Sequence, residues 1–251
     1  DGHSLRAYAY FGDQMPDIEP TVESINSIQE KYKSLRQESK APTFLLTYGG
    51  TFHGLMRNCG FTEEKAKTIE AKYHELYAVS DQWVASRIQE AARCGYVTVA
   101  FGLRVRTPLL VQTVLGTRST PYEAEQEART AGNALGQSYG LLNTRAAMDF
   151  MQQVRSSRWA HEIRPCTQIH DAQYYLVRDD AELLAWMNER LVKAVQWQEL
   201  PEIQHDQVKL GGELSIFYPT WADELHIPNG ATADQIITLA QEYTANEPGK
   251  S

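Results

Sequence analysis

The stretch Arg36-Gln-Glu-Ser-Lys40-Ala-Pro-Thr-Phe44-Leu-Leu-Thr-Tyr48-Gly-Gly50 places a long cationic or aromatic side chain at every fourth position. On a helix, four-residue spacing sets Arg36, Lys40, Phe44 and Tyr48 along one slowly drifting face. At about 1.5 Å per residue the stripe is about 18 Å long. Two cations come first and two rings follow. A nucleoside triphosphate has the same polarity, with phosphates at one end and sugar and base at the other. Arginine grips phosphate oxygens with its planar fork, lysine supplies a point charge, and aromatic rings offer faces for sugar and base. Spacing alone also fits an ordinary amphipathic helix with solvated cations and core aromatics.

Upstream, a helical pattern begins at Thr21, with Pro20 before it and Glu23 in the first turn. Ile25, Ile28, Tyr32 and Leu35 recur at three- and four-residue intervals, as one buried face requires. Pro42 falls inside the ladder, where it removes a backbone donor and crowds the preceding turn. It predicts a kink, or a break between two nearly collinear segments. Gly49-Gly50 ends the helix. Residues 1 to about 20, with Gly2, Gly12, Pro16 and Pro20, read as short and turn-rich.

Downstream, Thr62 to Ala92 reads as long helical stretches, and Gly95-Tyr-Val-Thr-Val as a strand broken by Gly102. Thr120, Pro121 and Glu123 form a helix start with a capping box, predicting a helix to near Arg155. Arg129, Asn133 and Gln137 line one face of it with hydrogen-bond donors. Such donors suit the acceptors that the DNA minor groove presents at every base pair. Gly132, Gly136 and Gly140 run beside them and call for close approach of a backbone, from another helix or from DNA. Tight helix packing beside a polar stripe explains the pattern equally well.

After Pro165, Thr167-Gln-Ile and Gln173-Tyr-Tyr-Leu-Val flank His170-Asp171, a hairpin whose turn carries a carboxylate. A carboxylate there reaches a divalent metal without being buried, and phosphoryl transfer commonly uses two metals. His205-Asp206 repeats the pair without flanking strands and reads as surface loop. Asp179 or Asp180 caps a helix through about Trp197, Lys209 to Tyr218 holds a short strand, and Ala231 to Tyr243 a last amphipathic helix. Helices first, then strands mixed with helices, give an α+β class.

Composition narrows the setting. The chain has 251 residues, 42% of them hydrophobic, enough to bury a sizeable core in one large domain or two modest ones. No apolar run approaches a membrane span and no signal peptide stands at the start. Three scattered cysteines with no CxxC pair argue against a disulfide framework or a zinc site and favour a reducing compartment. The formal net charge of −8 argues mildly against nucleic acid, although it does not speak to a local groove. The first residue is Asp1 rather than Met, so a processed chain or a portion of a longer protein is expected.

Together these segments resemble family A DNA polymerases, the bacterial DNA polymerase I class, over roughly residues 1 to 220. Arg36, Lys40, Phe44 and Tyr48-Gly49 match the family's motif B. Tyr48-Gly-Gly-Thr-Phe-His-Gly-Leu, Gly95-Tyr-Val, Gly102-Leu-Arg104 and Pro108 keep its rhythm. Arg129, Asn133 and Gln137 look like its minor-groove helix, and Ile169-His170-Asp171 like motif C. Asp1-Gly2-His3 is similar to an element whose histidine approaches the incoming phosphates. The wording looks closest to a phage replicative polymerase.

The resemblance implies a mostly helical fingers subdomain over residues 1–125 and part of an antiparallel-sheet palm over 126–251. It implies a DNA-directed DNA polymerase in the cytoplasm, that of the host if phage-encoded. His3, Arg36, Lys40, Phe44 and Tyr48 would bind the dNTP. Arg104, Arg129, Asn133, Gln137 and His170 would bind primer-template DNA. Asp171 would hold Mg²⁺, with Lys40 beside it in the catalytic set. Two departures matter. Ala172 and Gln173 stand where a second carboxylate is usual, and no Asp-Tyr/Phe-Ser-x-x-Glu pattern of motif A occurs. The chain alone is therefore expected not to polymerise without a partner segment carrying motif A. Competing readings are a single-subunit RNA polymerase, against which Phe44 speaks, and a DNA-binding subunit without chemistry.

Overall fold

In the computed structural model, residues 1–113 and 120–246 are described, and they form two compact units, residues 1–137 and 138–251. The class is α+β, mostly helical with three separate two-stranded antiparallel ribbons among the described residues.

The first unit opens with α1 (Gly2–Phe11), where the sequence led us to expect turns. Its glycines mislead: Gly2 is the first helical residue and Gly12 lies just past the end. Asp1 caps the helix, accepting the His3 N–H at 3.0 Å and the Ser4 hydroxyl at 2.7 Å. Ser4, Ala7, Tyr10 and Phe11 are buried at helical spacing.

The expected Thr21 helix is a chain of short ones: α2 (Val22–Asn26), α3 (Ile28–Lys31), α4 (Lys33–Glu38) and α5 (Lys40–Thr47). Thr21 caps α2 through the Ser24 N–H. The sharpest departure from helical geometry is at Tyr32 (φ −130°, ψ 46°), whereas Ser39 stays helical (φ −68°, ψ −17°). Pro42 is the third residue of α5, in the first turn, where a missing N–H costs little. The break anticipated at the proline thus falls ahead of it.

Beyond Gly49-Gly50 come α6 (Phe52–Cys59), α7 (Glu63–Leu76) and α8 (Ala78–Cys94). Thr62 caps α7, and Tyr77 (φ −109°) divides α7 from α8. β1 (Tyr96–Thr98) pairs with β2 (Arg104–Arg106). α9 (Tyr122–Gln137) closes the unit. One core gathers Phe11, Met15, Ile28, Leu46, Leu55, Ile69 and Tyr73, and a second gathers Ile88, Val97, Leu110 and Leu135. Full burial of each large side chain contributes about 1.5–3 kcal/mol.

The helix expected to run from Thr120 to Arg155 is interrupted by a 3₁₀ turn at Ser138–Gly140, beyond which α10 (Leu141–Arg155) belongs to the second unit. There β3 (Ile163–Ile169) and β4 (Ala172–Val177) form the expected hairpin, longer than the sequence suggested and bulged between Pro165 and Thr167. Asp180 caps α11 (Ala181–Val195) through the Leu183 N–H. β5 (Leu214–Phe217) pairs with β6 (Glu224–Ile227), and α12 (Ala233–Asn246) ends the described chain. Phe150, Trp159, Ile163, Leu183, Met187 and Ile227 fill this unit's core. No helix among the described residues is long and apolar enough to cross a membrane.

Candidate nucleotide and nucleic-acid sites

The ladder stands on a buried back face. Ser39, Thr43 and Leu46, at helical spacing, are 0%, 4% and 4% exposed. Thr43 Oγ1 is 3.1 Å from the Tyr10 hydroxyl and donates to the Ser39 carbonyl at 2.8 Å. Ser39 Oγ lies within reach of the His3 and Arg36 carbonyls. Burial raises the Tyr10 hydroxyl to about 12, which keeps it a neutral partner. These contacts fix α5 against α1 and leave the opposite face outward. Phe44 is 52% and Tyr48 45% exposed, so the aromatics are not core residues.

The cationic end gathers residues from two parts of the chain. Arg36 Nε donates to Asp1 Oδ2 at 2.7 Å. Arg6 Nη1 is 2.9 Å from His3 Nδ1, and Arg6 Nε donates to the Tyr77 hydroxyl at 2.7 Å. Burial first, then the charges of Arg6, Lys40 and Arg36, hold His3 below the ordinary histidine value. His3, Arg36 and Lys40 are thus close enough for their charges to act on one another. Arg6 was missed; its position three residues after His3, one turn along, was the only signal.

The aromatic end closes on a tight cap. Gly50 N–H donates to the Leu45 carbonyl and Gly49 N–H to that of Leu46, both at 2.9 Å, with Gly49 at φ 73°. This is the Schellman arrangement, which satisfies the last carbonyls of the helix. A Cβ on Gly50 would lie 2.1 Å from Leu45 Cδ2 and 2.7 Å from its carbonyl oxygen. The Tyr48 carbonyl accepts from Arg129 Nε at 3.1 Å and Asn133 Nδ2 at 3.4 Å. Two of the expected minor-groove donors therefore meet the end of the ladder, while Gln137 is exposed at the end of α9. Of the three glycines beside them, a Cβ on Gly132 would meet Val84 Cγ1 at 3.4 Å, whereas one on Gly136 or Gly140 would meet nothing within 4 Å. Helix packing accounts only for the first. Arg104 begins β2 with its guanidinium 4.3 Å from the Tyr96 ring centroid.

In the second unit, His170 and Asp171 form the two-residue turn of the β3–β4 hairpin, both exposed. His170 holds φ 52°, uncommon for a residue with a side chain. Its carbonyl accepts from Asn143 Nδ2 at 3.3 Å and Gln168 Nε2 at 3.4 Å. Gln173 Nε2 donates to Asn143 Oδ1 at 2.5 Å, and the Tyr175 hydroxyl to Gln173 Oε1 at 2.5 Å. Ala172 and Gln173 follow Asp171, and Gln173 braces the turn through Asn143. The exposed Asp171 carboxylate is a hard oxygen donor of the kind Mg²⁺ takes, and suits one ligand position. Among the described residues no three His, Cys, Asp or Glu are grouped to hold a metal. His205, in the other His-Asp pair, accepts the Gln207 and Val208 N–H groups in a loop, as expected.

The family model described as DNA polymerase family A matches residues 18–211. DNA polymerase I of Geobacillus stearothermophilus is 26% identical over 193 residues, which are 76% of this chain and 20% of that protein. DNA polymerase I of Bacillus subtilis (strain 168) is 24% identical over 198 residues, 77% of this chain and 20% of that one. A solved structure, the POL domain of Pol1 from M. smegmatis in complex with DNA primer-template and dNTP, matches with a TM-score of 0.57 at 22% identity. That match covers 77% of this chain and 31% of the other, and it is a likeness of fold. The chain spans about a fifth of the length of the curated relatives it matches.

Proposed function

The chain belongs to DNA polymerase family A, and from that premise we propose that it supplies the fingers and part of the palm of a template-directed DNA polymerase. The observation that carries this reading is the polarity of the ladder: cations gathered at one end, exposed rings at the other, on a helix whose back is buried. In this reading residues 1–125 are fingers and 126–251 palm. Arg36, Lys40 and His3 hold the triphosphate, Phe44 lies against the sugar, and Tyr48 lies near the base. Arg104, Arg129, Asn133, Gln137 and His170 follow primer-template DNA.

Asp171 would hold Mg²⁺, which when bound stabilises charge on the transferring phosphoryl group and its leaving oxygens. Lys40 adds fixed positive charge where the triphosphate develops negative charge. One aspartate does not hold two metals. The proposal therefore includes a partner segment that carries motif A, and without it the chain is inactive. A phage replicative enzyme working in the host cytoplasm is the narrower form of the proposal, suggested by the wording of the motifs.

Primer extension tests it. The 251-residue chain is assayed alone and with a polypeptide carrying motif A, using deoxy- and ribonucleotides in parallel. Synthesis with deoxynucleotides only in the combined sample is expected. Robust synthesis by the chain alone would overturn the need for a partner. A preference for ribonucleotides would favour an RNA polymerase, and full function after Asp171→Ala a clamp without chemistry.

A further inference from the structure

Arg6 is the one residue of the cationic end that no motif asked for. It follows His3 by one turn of α1, so both side chains leave the helix on the same side. It makes two contacts: Nη1 lies 2.9 Å from His3 Nδ1, and Nε donates to the Tyr77 hydroxyl at 2.7 Å. A guanidinium carries donors only. His3 Nδ1 must then be the acceptor, and the one ring proton of the neutral imidazole sits on Nε2. Protonating Nδ1 would set one N–H against another.

We propose that Arg6, braced by Tyr77, is a positioning residue that locks His3 as a neutral imidazole with Nε2–H as its only donor for the incoming triphosphate. This rests on the reading that His3 meets the triphosphate. The lock gives that site a hydrogen-bond donor that does not change its protonation across the neutral range.

The charges around His3 agree. Arg6 reaches it from α1, Arg36 from α4 and Lys40 from α5, and all three disfavour a second proton. The Tyr77 hydroxyl, between α7 and α8, faces Arg6. Asp1 is the nearby carboxylate. It accepts the His3 backbone N–H, but its Oδ2 is shared between Ser4 and Arg36. Burial acts in the same direction as the cations.

The test reads the ring directly. Long-range ¹⁵N–¹H spectra of the 251-residue chain report the tautomer and titration of each histidine, and His3→Gln identifies the His3 signals. The wild type is expected to show a single Nε2–H tautomer. In Arg6→Met both tautomers should appear and the His3 pKa should rise, since one of the charges that disfavour a second proton is gone. Tyr77→Phe keeps the Arg6 charge and removes only the brace, so it should move the same signals part of the way. Mixed tautomers in the wild type, or unchanged signals in both variants, would overturn the lock. If Arg6→Met fails to fold, Tyr77→Phe decides alone. Titration with inorganic tripolyphosphate separates the two layers of the argument. Weakening of about tenfold in Arg6→Met supports the positioning role. Absence of binding to the wild type overturns the triphosphate reading, whatever the ring spectra show.

Discussion

Arg36 in the first unit and Asp171 in the second are both charged side chains at candidate sites, yet they are held in opposite ways. Arg36 is already paired, its Nε on Asp1 at 2.7 Å, and any phosphate it grips must compete with that carboxylate. Asp171 is exposed in a turn that neutral amides secure: Asn143 and Gln168 on the His170 carbonyl, and Gln173 on Asn143. The cationic end is preorganised by charge, and the hairpin by uncharged hydrogen bonds that leave its carboxylate available. Binding and chemistry should therefore respond differently to substitution.

The largest expected effect breaks the two apart. In the enzyme completed by a motif A segment, Asp171→Asn should lower kcat by roughly 10³-fold or more, because the metal loses its ligand from this hairpin while the triphosphate grip stays. Arg36→Ala should instead raise the KM for dNTP by about 10–100-fold, since a charge-assisted contact is worth about 1.5–3 kcal/mol. Steady-state kinetics on both variants check this. Equal losses in kcat and KM for the pair would erase the distinction.

Next in size is Gly50→Ala. Its Cβ would lie 2.7 Å from a backbone oxygen in a cap that cannot yield without breaking the Schellman bonds. A loss of about 2–4 kcal/mol in the stability of the first unit is expected. Thermal unfolding followed by a site-specific probe in the first unit measures it, and an unchanged transition there would contradict the clash at the cap.

The ladder was legible because four-residue spacing is a local property, and so was the hairpin, where strand-like runs flank two residues. Other features depended on distant residues. α1 was hidden by Gly2 and Gly12, and its true signal is a buried face completed by residues as far away as Tyr73. The role of Arg6 depends on Tyr77, 71 positions later. The pairing of Arg129 and Asn133 with the Tyr48 carbonyl joins residues more than 80 positions apart. No spacing rule reports such contacts. Three- and four-residue strands such as β2 and β6 carry too few residues for a period to show. The break at Ser138–Gly140 was masked by a continuous donor stripe above it.

A third variant sharpens the aromatic end. Phe44 is half exposed and lacks a ring hydroxyl. Phe44→Tyr should raise incorporation of dideoxynucleotides relative to deoxynucleotides by about tenfold or more, because a ring hydroxyl can supply the hydrogen bond lost with the 3′ hydroxyl. Chain-terminator sensitivity is the measurement, and no change would return Phe44 to a packing role.

The smallest effect tests the opening contrast at its source. Asp1→Asn keeps an oxygen that can cap α1, since asparagine caps about as well as aspartate. What it removes is the negative charge paired with Arg36 and the second acceptor oxygen, the one that Ser4 and Arg36 share. The two side chains are 21% and 22% exposed, so the pair is partly screened and contributes about 0.2–1 kcal/mol. If Asp1 competes with phosphate for Arg36, the variant should bind tripolyphosphate up to about fivefold more tightly, with its melting temperature little changed. If Asp1 serves mainly to aim the guanidinium, affinity should fall instead. The sign of this change tells whether the cationic end is held back by its own carboxylate or prepared by it, and Asp171, which has no ion pair among the described residues, has no counterpart to that choice.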